Sequence, residues 1–310
     1  MAQITAAPQT IRPNLGGKII SAKQVIEIET NYGSIINNYS GRPLVSLKAQ
    51  PPSAPAALQD FVDRIDETAL LEENIGNNKR VTVIGPDGTG KSALLRQVAN
   101  SATAQKLPNG VVLAEGSDAD GTQLSVNDVI QQLFDQLYDV DPATADTHLQ
   151  VSAASAKAYL ASTRPLVLID QVKFASPDSL TKLIDLFPKS PILIAQAESP
   201  GGNLTRLVDL APLPHANAIE LFAATLNLPA NQVDHIAADS ICTLLQNLPL
   251  AVVTVANAIR ANKLAPDNAL KTLNQIRPPS SDPIQASLER AYGLMYTTFT
   301  PLERQVLAIA

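Results

Sequence analysis

Gly85, Pro86, Asp87, Gly88, Thr89, Gly90, Lys91 and Ser92 match every fixed position of the phosphate-loop pattern G-x-x-x-x-G-K-[ST]. The residues before it, Arg-Val-Thr-Val-Ile at 80–84, are mostly β-branched, and those after it at 93–99 suit a helix. Strand, loop, helix is the order that this chemistry requires. The glycines let the backbone turn its N–H groups inward, and the first helical turn, Ala93 included, adds its positive end. Lys91 reaches the β- and γ-oxygens, and Ser92 offers a hydroxyl to Mg²⁺. The pattern therefore implies a bound nucleoside di- or triphosphate, ADP or ATP, with Mg²⁺.

A loop of this kind sits on a parallel sheet, and the surrounding pattern agrees. Across 57–212 short apolar strands at 81–84, 110–114, 166–169, 192–195 and 207–210 alternate with helices starting at Lys91 and at 126–138, 152–162 and 177–186. This reads as an α/β phosphate-loop NTPase domain with helices on both faces. Beyond it the strands stop. Helical periodicity at 216–226, 233–246, 251–262 and 266–275 marks a helical domain over 213–276. A Pro/Ser linker at 277–283 precedes helices at 284–295 and 301–310, and the apolar, uncapped end at 306–310 reads as continuing into a longer protein.

The first 49 residues are β-branched and amide-rich at 18–20, 25–29 and 34–39, with a turn signal at Asn31-Tyr32-Gly33. They read as a hairpin or meander, joined by a linker at 50–56, that is too small to bury its own core. It is expected to dock on the neighbouring domain, or to pair or stack with other chains. Net charge is −6 with scattered basic residues, which leaves no electrostatic footprint for direct nucleic-acid binding. No signal peptide and no apolar run of about 18 residues is apparent, so a cytoplasmic protein without membrane association is expected. Cys242 lies in an apolar run and reads as a buried thiol. His148, His215 and His235 lack the acid or cysteine pattern of a zinc site and read as structural.

The apolar run 166–169 ends in Asp170, about 80 residues after the phosphate loop, where a carboxylate holds Mg²⁺ opposite Ser92. Together with Phe61-Val62-Asp63-Arg64, Leu210-Ala211-Pro212-Leu213, Asn247-Leu248-Pro249-Leu250-Ala251 and 287–294, these motifs resemble the NB-ARC branch of the STAND signal-transduction ATPases. That family includes plant resistance proteins, apoptosome-forming factors and bacterial regulators. The resemblance covers roughly 55–310 and implies a nucleotide domain, a helical domain and the start of a winged helix at 284–310. It also implies that Val62 and Arg64 contact the base, that Pro249 meets the adenosine, and that the protein is an ADP/ATP switch for signalling or immune defence. In such a switch, exchange for ATP favours self-association, and the N-terminal segment recruits an effector.

Two departures bear on catalysis. Where many relatives have a second acid after the Walker B aspartate, this chain has Gln171, which can position a water but cannot take its proton. Where relatives commonly read Thr-Thr-Arg, this chain reads Ala195-Gln196-Ala197. Asp170 and Gln171 remain the catalytic candidates, and slow or absent hydrolysis is expected. A steadily turning ATPase machine, a transcription regulator of the same class, and an N-terminal segment acting as a self-assembling, amyloid-like signalling scaffold are the alternatives.

Overall fold

A computed structural model of the chain describes residues 18–21, 24–27, 44–58, 61–117, 122–141, 150–172, 177–199, 205–228 and 234–299. The expected strand at 34–39, the turn at 31–33, the helix at 301–310 and His148 lie outside the described residues. The chain divides into two units, one formed by Met1–Lys48 with Tyr138–Gln150, the other by Ala49–Leu137 with Val151–Ala310.

The first unit is made of short antiparallel pairs. Strands β1 (Lys18–Ser21) and β2 (Gln24–Glu27) form a hairpin with Ile19 opposite Ile26. Strand β3 (Val45–Leu47) pairs with a strand much later in the chain, β6 (Tyr138–Val140), with Ser46 opposite Asp139. The Asp141 amide continues this ladder to the Leu44 carbonyl at 2.9 Å. Neither β3 nor β6 is expected from the sequence. Tyr138 reads as the end of a helix, but the helix stops one residue earlier, because pairing with β3 takes its backbone.

The second unit holds a five-stranded, all-parallel sheet in the order β5, β7, β8, β4, β9. These strands are β4 (Arg80–Ile84), β5 (Val111–Glu115), β7 (Leu166–Asp170), β8 (Ile192–Gln196) and β9 (Arg206–Asp209). All five strands expected from the sequence are present, most with bounds shifted by one residue. Every residue of β7 is buried, as a strand covered on both faces must be. On the face showing Leu166 and Leu168 lie α1 (Ile65–Gly76), α2 (Lys91–Ala99) and α3 (Ala102–Gln105), contributing Leu71, Ile75, Leu94, Leu95, Val98 and Ala104 to one core. Alternation sends Val167 and Ile169 to the other face. There α4 (Val126–Leu137) packs on β5 and against α5 (Ala153–Leu160) and α6 (Pro177–Ile184). Helices α1 and α3 are not expected from the sequence. In α1 the buried apolar positions are sparse, and in α3 the helix is a single turn.

Strand β5 lies at the edge of this sheet, where unpaired backbone would invite another strand. Two local devices occupy it. The Pro52 carbonyl accepts from the Val111 amide at 3.0 Å. This approach requires Gly110, whose φ is +68° and whose added Cβ would lie 2.2 Å from that carbonyl. Farther along, the Gln136 side chain acts as a one-residue substitute strand. Its Oε1 accepts from the Leu113 amide at 2.9 Å, and its Nε2 donates to the Leu113 carbonyl at 2.7 Å.

After β9 the chain is helical: α7 (His215–Thr225), α8 (His235–Leu244), α9 (Pro249–Asn262), α10 (Pro266–Gln275) and α11 (Pro283–Thr298). Phe222, Ile241, Leu245, Val252, Val255, Leu273 and Leu294 close a second core around α9. Prolines at the first turn start α9, α10 and α11, where the missing N–H costs nothing. Cys242 is buried in this core, and burial pushes its thiol up to about 12, so it is an inert packing residue.

Replacing Gln136 by Ala leaves the Leu113 amide and carbonyl without side-chain partners. The expected loss is about 1–3 kcal/mol, read as a lower midpoint in equilibrium urea denaturation.

Candidate nucleotide site

The phosphate loop follows β4, and its glycines adopt the positive φ values that the turn needs, +83° at Gly88 and +96° at Gly90. Its carbonyls are committed to protein donors. The Gly88 carbonyl accepts from the Leu250 amide at 3.1 Å, and the Thr89 carbonyl accepts from Arg64 Nη2 at 3.4 Å. Thr89 Oγ1 donates to the Pro86 carbonyl at 2.8 Å. Gly90 caps α2 without a side chain, so nothing local covers the first turn. The amides of Gly88, Gly90, Lys91, Ser92 and Ala93 have no hydrogen-bond acceptor among the described residues. Unpaired donors at a helix start constitute an anion site.

The charged groups converge on the same loop. Lys91 is 7 % exposed and donates through Nζ to the carbonyls of Gly85 at 2.7 Å and Pro86 at 2.8 Å, with Asp87 Oδ1 at 3.8 Å. Burial pushes its pKa below the usual lysine value, while Asp87 and Asp170 oppose that shift. Ser92 Oγ donates to Asp170 Oδ1 at 2.9 Å. Burial holds the Asp170 carboxyl above the usual aspartate range against the opposing Ser92 hydrogen bond. A hydroxyl and a carboxylate, hard oxygen donors adjoining the phosphate loop, fit Mg²⁺.

The next residue, Gln171, has φ +56°, and its carbonyl lies where a Cβ on Gly116 would be only 2.1 Å away. That conformation brings its Nε2 within 3.4 Å of Ser92 Oγ. Strand β8 separates β4 from β7, so Gln196 ends beside this group, and its Nε2 donates to the Val172 carbonyl at 3.3 Å.

A cavity of about 600 Å³ connects these parts. It brings together Val62, Arg64, Asp87, Gly88, Thr89, Gly90, Lys91, Ser92, Ala93, Gln171 and Pro249. Gly85, Pro86 and Asp170 lie outside its wall, and Asp170 reaches the site through Ser92. Leu58, Phe61, Leu213, Leu221, Leu250 and Val253 add an apolar lining that the sequence reading leaves out. Leu213 and Leu250 stand within quoted motifs, whereas Leu221 and Val253 carry no signal beyond helical periodicity. The Arg64 guanidinium, 6 % exposed, is engaged by the carbonyls of Thr89 and Ala211 and by Glu67 at 3.0 Å. It ties the phosphate loop to the entry of the helical region.

Two loops that contribute to this lining contain consecutive left-handed residues other than glycine: Asp63 and Arg64 in one, Gln246 and Asn247 in the other. Such pairs cost free energy and persist only where surrounding contacts fix them. At Asn247 the contacts are visible. Its carbonyl accepts from the Leu213 amide at 3.2 Å, and its Oδ1 lies 2.9 Å from His215 Nδ1, whose Nε2 faces Asp239 at 2.9 Å. His215 thus has a structural role, holding the turn that delivers Pro249.

Residues 76–196 match the sequence profile of an AAA domain family, in keeping with the phosphate-loop NTPase fold described above. No curated protein matches the chain. Several solved structures resemble it at low identity. The RuvB Holliday junction branch migration motor of Thermotoga maritima is 16% identical, with 82% of this chain and 78% of that one covered at a TM-score of 0.46. A Walker-type ATPase of Pyrococcus abyssi is 16% identical over 83% and 79% of the two chains, at 0.48. A STAND protein with a tetratricopeptide repeat sensor from Pyrococcus horikoshii is 13% identical at 0.39, over 78% of this chain but 41% of its own length. No described helix is long and apolar enough to cross a membrane.

The raised pKa of Asp170 means that the folded chain binds this proton more tightly than the unfolded one. The stability so gained is lost as pH rises from the ordinary aspartate range through the raised value, and at neutral pH the buried charge is a net cost. Asp170→Asn is therefore expected to raise the urea midpoint of the nucleotide-free protein at pH 7. The same variant should lose the extra thermal stabilisation that Mg²⁺ adds to nucleotide.

Proposed function

We propose that the chain is a nucleotide-controlled switch of the STAND type, held closed by ADP and opened for self-association when ATP replaces it. The observation that carries this reading is the composition of the cavity wall. Gly88 to Ala93 come from the α/β part, whereas Leu213, Leu221, Pro249, Leu250 and Val253 come from the helical region. A nucleotide with its phosphates on the loop and its base against the apolar lining touches both, and so stabilises their contact. At 100 times its dissociation constant such a ligand adds about 2.7 kcal/mol to the state that binds it. That is enough to decide a balanced equilibrium.

In this reading 57–212 is the nucleotide domain, 213–276 the helical domain, and the chain from 284 onward begins a winged helix, with the N-terminal segment meeting an effector. Mg²⁺, when bound, neutralises phosphate charge, and Ser92 and Asp170 would hold it. Lys91 and the loop amides bind the phosphates. Val62 and Pro249 flank the base, while Arg64 acts from behind by fixing the Thr89 and Ala211 carbonyls. Gln171 supplies an amide where proton abstraction needs a base, which supports a slow switch over a turning motor.

Nucleotide released on denaturing the purified chain and separated by chromatography is expected to be stoichiometric ADP. Lys91→Ala should lose it, with affinity for added nucleotide at least about tenfold weaker. The absence of nucleotide from the original chain, together with no binding on addition, would overturn the reading. In a phosphate-release assay, Gln171→Glu is expected to raise turnover on the order of tenfold or more; fast turnover in the unaltered chain would instead favour a plain ATPase.

A further inference from the structure

The variable positions of the phosphate loop are Pro86, Asp87, Gly88 and Thr89, and one of them carries charge. The Asp87 side chain is 81 % exposed, lines the cavity mouth, and places Oδ1 3.8 Å from Lys91 Nζ. In a phosphate loop the lysine contacts the β- and γ-oxygens, so a carboxylate at this distance from its nitrogen lies beside the terminal phosphate.

The other charges at the cavity do not offset it. Among the described residues three cations line the wall, and each has a carboxylate within 4.0 Å: Arg64 with Glu67 at 3.0 Å, Arg96 with Glu115 at 3.6 Å and Lys91 with Asp87 at 3.8 Å. Asp170 adds a further acid through Ser92. Among the described residues, the wall therefore brings no surplus positive charge to a third phosphate. Relative to a diphosphate, a triphosphate places its additional negative charge at the terminal position, where Asp87 stands.

We propose that Asp87 is a specificity-determining residue, whose carboxylate disfavours nucleoside triphosphate relative to diphosphate and so biases the site toward the ADP-bound form. This rests on the nucleotide reading above and deepens it. The bias is electrostatic and acts at a water-exposed mouth, so it is screened by salt. A unit charge a few ångströms from the terminal phosphate, at the effective dielectric of a protein surface, changes relative affinity by about tenfold.

The test is the ratio of dissociation constants for ADP and a non-hydrolysable ATP analogue, both with Mg²⁺, measured by calorimetry on the original chain, Asp87→Asn and Asp87→Glu. Asp87→Asn is expected to improve the analogue by about tenfold relative to ADP at low salt, and by less at about 0.5 M salt. Asp87→Glu, which keeps the charge, is expected to retain the original ratio. An Asp87→Asn ratio equal to the original would overturn the proposal even if both ligands bound more tightly, since release of Lys91 alone helps both, and the nucleotide reading would still stand. Failure of the original chain to bind either ligand would overturn both.

Discussion

The structure depends on how the phosphate loop divides its backbone polar groups. A loop that presents N–H groups to an anion must satisfy its carbonyls elsewhere, since a buried unpaired carbonyl is costly. Here the donors come from distant parts of the chain: the first turn of α9 through the Leu250 amide, and the segment before α1 through Arg64. The helical region is thus tied to the loop by a backbone hydrogen bond and by the packing of Leu248, Leu250 and Leu288 near Gly88.

That arrangement explains why strain collects where it does. Asp63-Arg64 and Gln246-Asn247 are both left-handed; the first pair immediately precedes α1, and the second comes just before α9, whose Pro249 and Leu250 line the cavity. One pair lets the Arg64 guanidinium reach two carbonyls from different segments, and the other turns the chain so that α9 starts with Pro249 at the cavity. His215 and Asp239 brace the second pair. Closure of the site therefore rests on a small set of polar contacts around two unfavourable turns.

The sequence was legible wherever local pattern and structure coincide. The phosphate loop, the fully buried β7 and the prolines that start α9 and α10 follow from motif, hydrophobic run and missing N–H respectively. Helix α1 was not legible, because only Leu71, Asn74 and Ile75 of its residues are buried and the apolar spacing is weak. The pairing of β3 with β6 was hidden because about ninety residues separate the strands, and three-residue strands carry almost no periodicity. The apolar lining of the cavity was only partly legible, since Leu221 and Val253 look the same in sequence whether they face a core or a ligand.

By itself the sequence determined that a phosphate-binding loop sits between a buried strand and a helix in a parallel α/β sheet, with helices to follow. These are consequences of glycine conformational freedom, hydrophobic periodicity and the placement of Lys91, Ser92 and Asp170. The tertiary structure alone decided which groups hold the loop, that Arg64 grips protein carbonyls, that Gln171 turns toward Ser92, and that α9 completes the cavity. Those outcomes depend on hydrogen bonds and close packing between segments far apart in the chain, which no local pattern encodes.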